Sequence, residues 1–382
     1  INTTEATAAL LELAEALKTD GSNDRLYRRV LEEAKWGLDY VLKMRFGDGH
    51  RGTYTSIARN KRSNRKSEFL LQKTEALSLT DFLHGGEYDA QGIYQAWNKV
   101  LHNQFHDIIP GSSIFEVYEG TDQDYAAITE YCSAVIHEKL LRISDRVHAD
   151  SGHLIYNSLG FARKGPVLLN GKTVEIQEPV PALGWLVADR VKSDTDVRLD
   201  GLTAQNRYYI LRLDRAGRME SLYDKLAQRE VFLAGQRGNE LQAFEDFPRQ
   251  YDAWEITDYY KQKMWVLDTD AEIEPVVDGS RAGFRVVRTY LGSVIEQYIW
   301  LYSDCRRIDV ENHIDWHEKH QLLKAAFPFD VHTTSATYEI QFGHLDRPTH
   351  SNTSWDQAKF EVCAHKWVDV SENGYGVALL ND

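Results

Sequence analysis

Basic residues are in short supply: 44 Lys and Arg stand against 58 Asp and Glu, giving a formal net charge of −14 over 382 residues. A surface of that sign offers no field to hold a polyphosphate backbone or an anionic bilayer, so nucleic acid and membranes are not expected partners. No apolar run approaches the roughly 18 residues that a membrane span requires, and no charged stretch followed by an apolar one opens the chain. Cysteine is scarce as well. Cys132, Cys305 and Cys363 are odd in number, far apart and without a CxxC pair. Neither a disulfide framework nor a thiolate metal site is expected, and a reducing, cytoplasmic compartment fits. Eight prolines and no Ser/Gly-rich stretch leave no obvious flexible linker, which predicts halves that pack rather than swing. Glycine-rich dinucleotide and phosphate loops and a GxSxG elbow are missing too, which removes oxidoreductase, kinase and serine hydrolase readings.

What is present, at 42% hydrophobic and 27% charged, is an ordinary globular composition with length enough for two or three domains. Over 3–18, 24–44, 59–83, 90–105 and 114–147 apolar residues recur every three to four positions, which predicts amphipathic helices. Asp24 opens the second of these as an N-cap, Gly85-Gly86 separates the third from the fourth, and Pro110-Gly111-Ser112-Ser113 separates the fourth from the fifth. Ser112 or Ser113 is placed to cap the last helix. Short turns between long helices predict an antiparallel bundle. After Gly152 the texture changes to short alternating or β-branched runs, such as Tyr208-Tyr209-Ile210-Leu211-Arg212-Leu213, separated by turns such as Asp214-Arg215-Ala216-Gly217-Arg218. That half is expected to be mostly strand. The fold class that results is α+β and multidomain: a helical bundle followed by a large, mostly-β, sandwich-type domain.

Chemistry concentrates first at the end of the fourth helical run, where His106 and Asp107 stand together beside the Pro110-Gly111 reversal. An imidazole next to a carboxylate at such a turn can ligate a divalent ion while the carboxylate contacts substrate. A capped helix end with a hydrogen-bonded histidine is the plainer reading of the same residues. His102 lies four residues earlier and would share a helical face with His106, which is metal spacing, but no glutamate follows it as a metalloprotease needs. His313-Ile314-Asp315-Trp316-His317 looks metal-like by histidine count alone. Its alternation with Val310, Asn312 and Ile314 marks instead a two-faced strand with a polar side. His344-Leu345-Asp346-Arg347-Pro348, ahead of a proline, reads as a loop. Aromatics are abundant, with 9 Trp, 20 Tyr and 14 Phe, and part of them cluster in Tyr251-Asp252-Ala253-Trp254-Glu255-Ile256-Thr257-Asp258-Tyr259-Tyr260. Rings interleaved with carboxylates suit sugar recognition, through stacking on pyranose C–H faces and hydrogen bonds from hydroxyls. An aromatic core with an acidic edge is the alternative.

The string Asn103-Gln104-Phe105-His106-Asp107-Ile108-Ile109-Pro110-Gly111-Ser112-Ser113, with Val117-Tyr118 after it, resembles the signature of glycoside hydrolase family 38, the zinc-dependent retaining α-mannosidases, in their cytosolic and bacterial branch. His50-Arg51-Gly52-Thr53-Tyr54-Thr55-Ser56 resembles the start of that family's helical middle domain. Asn206-Arg207-Tyr208-Tyr209, Tyr251-Asp252-Ala253-Trp254, Val310-Glu311-Asn312, Asn352-Thr353-Ser354-Trp355-Asp356 and Ala364-His365-Lys366-Trp367 follow in the family's order.

That resemblance spans about residues 50–382 and implies domains at 1–49, a helical segment of uncertain origin, 50–147, the middle domain, and 148–382, the β-rich C-terminal domain. It implies hydrolysis of terminal α-D-mannosidic bonds in mannose oligosaccharides or N-glycan fragments by double displacement between two carboxylates. It further implies Zn2+ as cofactor, His106 as one of four protein ligands, and substrate contact by Asp107, with Tyr251, Asp252 and Trp254 the sugar-facing candidates. The family's N-terminal α/β catalytic barrel, with its nucleophile, acid and other zinc donors, is absent from these residues, so the isolated chain is expected to be inactive and the barrel is its expected partner. Ile1 in place of Met, and the apolar run Val377-Ala378-Leu379-Leu380 just before Asp382, make both ends read as cut. Ala34-Lys35-Trp36-Gly37-Leu38 is more similar to an (α/α)-barrel glycosidase helix. The other class of reading is a non-catalytic carbohydrate-binding or scaffold module, and homo-oligomers are compatible with either.

Overall fold

A computed structural model describes residues 64–109, 111–149, 151–251, 255–341, 343–364 and 366–381. The helices expected over 3–44, and the His50 to Ser56 motif, lie outside the described residues. Those described fall into two compact units, 64–330 and 331–381.

The first unit begins with three helices, α1 (Asn64–Leu83), α2 (Ala90–His102) and α3 (Phe115–Ser144), on the expected positions. Their apolar spacing turns Leu71, Ala96, Val100, Tyr125, Ile128 and Cys132 into one buried core, with Leu70, Trp97, Tyr131 and Ile136 packed against it. Gly85, at φ +85, takes the left-handed turn that closes α1, where a side chain would be strained. Asp89 then caps α2 by accepting from the Gly92 amide at 2.8 Å, and Lys99 and His102 occupy its last turn, where positive charge complements the exposed carbonyls. The cap of α3 differs from expectation. Its N-cap is Ile114, with no side-chain bond to the helix, because the Ser112 and Ser113 hydroxyls turn back to the Asp107 carbonyl. A cap of that type stabilises a helix by about 1 kcal/mol, and α3 does without it.

Glu75 accepts from the Trp97 indole at 3.2 Å and from the Tyr88 hydroxyl at 3.3 Å. Burial, with the Glu75 charge beside it, pushes the Tyr88 phenol up to about 12. Burial likewise raises Tyr125, with Asp124 and Asp122 adding to it, and Tyr131, which donates to Asp89 at 3.0 Å. A phenol whose folded value lies above its unfolded value of 10 contributes stability that is complete below pH 10 and lost as pH rises through the folded value. Helicity is therefore expected to hold to about pH 10 and to fall together with tyrosinate formation above it. Parallel alkaline titration by circular dichroism and tyrosinate absorbance checks this; tyrosines that ionise fully at their ordinary value with the helices intact would contradict it.

The described remainder of the first unit is mostly antiparallel sheet, with one 3-10 turn at Asp258–Gln262. β1 (His153–Asn157) pairs with β4 (Gly184–Ala188), and β2 (Arg163–Leu169), β3 (Lys172–Val180) and β5 (Val191–Lys192) form a second sheet, with Ile176, Val180 and Ala188 buried between the two. The Tyr156 hydroxyl on β1 meets that of Thr80 on α1 at 3.0 Å. A five-stranded meander runs through β6 (Arg198–Asp200), β7 (Thr203–Gln205), β8 (Tyr209–Leu213), β9 (Met219–Asp224) and β10 (Arg229–Glu230). The turn between β8 and β9 forms as its sequence requires. Asp214 accepts from the amides of Ala216 and Arg218, both at 3.0 Å, and Gly217 supplies φ +73.

β11 (Glu240–Glu245) lies between β12 (Met264–Val266) and β17 (Gln321–Ala326), and β13 (Glu272–Asp278), β14 (Arg281–Tyr290), β15 (Ser293–Tyr302) and β16 (Ile308–Asp315) form a four-stranded meander. Alternation on β15 buries Ile295, Gln297, Ile299 and Leu301. Ile295 shares a core with Leu241, Ala243 and Leu267, so these two sheets pack face to face. β16 has the two-faced form expected of it. Ile314 turns to that core while His313 and Asp315 are exposed.

In the second unit, residues 331–381, the strand order is β19 (Gly343–Pro348), β18 (Ser335–Ile340), β20 (Trp367–Glu372) and β21 (Tyr375–Leu380). A short helix α4 (Ser354–Ala358) is closed by a capping box between Thr353 and Asp356. His344 to Pro348, expected as a loop, is part of β19 instead. The strand ends at Pro348 on the sheet edge, the one strand environment that proline tolerates, and its residues are nearly all exposed, so no hydrophobic alternation announced it. Among the described residues no helix is long and apolar enough to cross a membrane.

Candidate functional site

Helix α2 stops at His102, and Asn103 anchors the chain as it leaves the helix. Its side chain, 1% exposed, donates to the Lys99 carbonyl at 2.8 Å and to Asp124 of α3 at 3.1 Å, while Lys99 pairs with the same carboxylate. From there the chain runs through overlapping tight turns, with the amides of Ile108 and Ile109 both bonded to the Phe105 carbonyl at 2.9 and 3.1 Å and that of Gly111 to Ile108 at 3.1 Å. Because the helix has ended, His102 and His106 do not occupy one helical face as their spacing suggested.

Within these turns Ile108 is buried, and His106 and Asp107 project outward. His106 Nε2 lies 3.3 Å from Asp107 Oδ2, with the two side chains 65% and 49% exposed. That exposure screens the pair, which contributes at most about 1 kcal/mol to folding, so stability alone gives little reason for the arrangement. The Phe105 ring, itself half exposed, packs against the imidazole at 4.2 Å between centroids. Leu101, Ile109, Ile114 and Phe115 are also exposed beside this turn.

The donors offered to a metal here are one imidazole nitrogen and one carboxylate, which is the right chemistry for zinc. Among the described residues no cluster of three or more His, Cys, Asp or Glu side chains suited to an ion forms. Zinc sites with protein ligands need three or four, so the described residues supply part of such a site and do not complete one.

Of the sugar-facing candidates, Asp252 and Trp254 lie outside the described residues. Tyr251 is 65% exposed and sits at φ +57, a left-handed conformation that a bulky side chain seldom adopts. Its carbonyl accepts from the Glu255 amide at 2.9 Å. Nearby in sequence, a cavity of about 260 Å³ is lined by Glu245, Phe247, Tyr259, Tyr260, Gln262 and Lys263. The Tyr259 hydroxyl donates to the Phe247 carbonyl at 2.8 Å, Phe247 stacks on His320 at 4.3 Å, and Lys324 donates to the Tyr260 hydroxyl at 2.6 Å. Sequence reading found the tyrosines and missed Glu245, Phe247, Gln262 and Lys263. The period-two pattern of β11, which delivers Glu245 to this place, was the available signal.

Two parts of the chain match known protein families. Residues 48–143 match the alpha mannosidase middle domain, and residues 204–382 match the C-terminal domain of the glycosyl hydrolases family 38. Human Alpha-mannosidase 2C1 is 34% identical over 357 residues, covering 87% of this chain and 34% of that protein. Alpha-mannosidase G of Dictyostelium discoideum is 28% identical over 447 residues, covering 99% of this chain and 41% of its own. The chain thus spans about a third of the length of the human relative. An alpha-mannosidase from Enterococcus faecalis V583 has a crystal structure that superposes over 91% of this chain and 53% of its own, with a TM-score of 0.67 at 12% identity; that likeness is one of fold.

Proposed function

The chain belongs to glycoside hydrolase family 38, and on that premise we propose that it forms the middle and C-terminal part of a zinc-dependent, retaining α-mannosidase acting on terminal α-D-mannosidic bonds of mannose oligosaccharides or N-glycan fragments. The observation that carries this reading is the exposed His106 and Asp107 pair, set 3.3 Å apart on a turn held to α3 by the Asn103 bond to Asp124 on one side and by the Tyr118 hydroxyl on the Ile108 carbonyl on the other. His106 is one zinc ligand in the proposal, and the other donors, the nucleophile and the general acid come from a barrel outside the matched residues. When bound, zinc acts as a Lewis acid and a template for the sugar hydroxyls. Asp107, with one oxygen toward His106, has its remaining lone pairs for hydroxyls of the bound mannose, which holds the sugar at the mouth of the barrel. Tyr251 and the cavity beside Phe247 supply ring faces for a pyranose. Three free cysteines favour a cytoplasmic location.

Alone, the chain is expected to release no p-nitrophenol from an aryl α-mannoside, with or without added zinc, because in this proposal the nucleophile and the general acid of the double displacement come from the barrel. Measured turnover that vanishes in His106→Ala would contradict this and mean that a working site assembles from this chain's own residues. The cavity lined by Phe247 and Tyr259 favours a second reading, a carbohydrate-binding module without chemistry. Mannoside binding that survives His106→Ala and Asp107→Ala while Phe247→Ala abolishes it would establish that one.

A further inference from the structure

The Asp107 carbonyl is met by three hydroxyls: Ser113 Oγ at 2.7 Å, and Ser112 Oγ and Tyr118 Oη each at 3.4 Å. A carbonyl has two lone pairs, so the short Ser113 bond is the principal one. Tyr118 holds the assembly together. Its oxygen accepts from the Ser113 amide at 3.0 Å, and its single proton is shared between the carbonyls of Asp107 and Ile108, at 3.4 and 3.3 Å.

The turns over 101–111 already have backbone bonds of their own, so these hydroxyls are not needed to close them. Nor do they cap α3, whose first turn Ser112 and Ser113 leave without a side-chain acceptor. What they fix is the peptide plane after Asp107, and with it the directions in which the neighbouring Asp107 and His106 side chains leave the backbone. Functional side chains that reach into solvent have little packing of their own to hold them, and their geometry depends on supporting hydrogen bonds behind them.

We propose that Ser113 and Tyr118 are positioning residues that hold His106 and Asp107 in the orientation the site uses. The idea rests on the reading of His106 and Asp107 as site residues, but its test needs neither metal nor substrate. The whole chain carrying 13C-labelled histidine reports the orientation directly, because the Phe105 ring 4.2 Å from His106 displaces the imidazole resonance, assigned by its loss in His106→Ala.

Tyr118→Phe and Ser113→Ala each remove one oxygen and are expected to collapse that displacement toward the value of a freely rotating exposed histidine. The resonances of His153 and His313 should stay in place, and Ser113→Thr, which restores the hydroxyl, should restore the displacement. An unmoved His106 resonance in both variants overturns the proposal. So does a general shift of all histidine signals, which would make these hydroxyls structural. If the displacement collapses as expected but a longer, active protein keeps its α-mannosidase activity in His106→Ala, the positioning stands and the functional reading of His106 falls.

Discussion

Asp81→Ala lowers the unfolding free energy of the first unit by about 3–5 kcal/mol, the usual cost of leaving one partner of a buried ion pair alone. Asp81 is fully buried near the end of α1 and faces three cations, two on α3 and one just past its end: Lys139 Nζ at 3.2 Å, Arg142 Nε at 3.1 Å and Arg146 Nη2 at 3.8 Å. Lys139 is the reason the effect is large. Its side chain is only 6% exposed, and with Asp81 gone it keeps the Glu87 carbonyl and the more exposed Glu138 as partners. Arg142 and Arg146 are about 40% exposed and can turn to water. Arg146→Ala is therefore expected to cost no more than about 1 kcal/mol. Gly86 belongs to the same arrangement, since a Cβ there would stand 2.1 Å from Asp81 Oδ2. Urea unfolding followed by far-ultraviolet circular dichroism measures both variants, and equal, small losses would show that water reaches Asp81 and that the contact is an ordinary surface pair. A double variant, Asp81→Leu with Lys139→Met, should recover most of the loss, because removing both charges removes the desolvation cost with them.

That cluster also marks where sequence reasoning stops. The period of apolar residues placed α1, α2 and α3 within a few residues, and the alternation of Val310, Asn312 and Ile314 identified β16, because both patterns record which face of an element is buried. Asp81 and Lys139 carry no such signature. A charged residue in an amphipathic helix reads as solvent-facing until its partner, 58 residues away, is known to lie against it. Ser112 and Ser113 illustrate the converse: their position before an apolar run is that of a cap, but their hydroxyls donate to the Asp107 carbonyl and no side chain caps the helix. At the site, His106 and Asp107 were legible as a pair because they are adjacent in the chain. Their exposure was not, since it depends on the helix ending at His102 rather than at Phe105. The cavity beside Phe247 was half legible, through its tyrosines, while Lys324 and His320 arrive from β17 and the chain before it and leave no trace near Tyr260 in the sequence.

In a longer protein that joins this chain to a catalytic barrel, His106→Ala is expected to lower kcat/KM for an aryl α-mannoside by at least about 100-fold, together with loss of bound zinc. Loss of supporting groups around metal ligands already costs 10- to 100-fold, and removal of a ligand itself should not cost less. The exposure of His106, 65%, makes the experiment clean. An exposed side chain in a weak surface pair changes stability by no more than about 1 kcal/mol when truncated, so a large fall in activity cannot be assigned to unfolding, and unfolding curves of the variant should lie close to those of the parent. Asp107→Asn separates the two roles. It keeps the size and one acceptor oxygen but removes the charge and turns the other oxygen into a donor, so it should retain zinc while kcat/KM falls through weaker hold on the sugar hydroxyls. Equal loss of zinc in both variants would make Asp107 a ligand in its own right. Full activity and full zinc content in His106→Ala would place the metal elsewhere and leave the turn at the end of α2 as a structural corner whose exposed pair has another use.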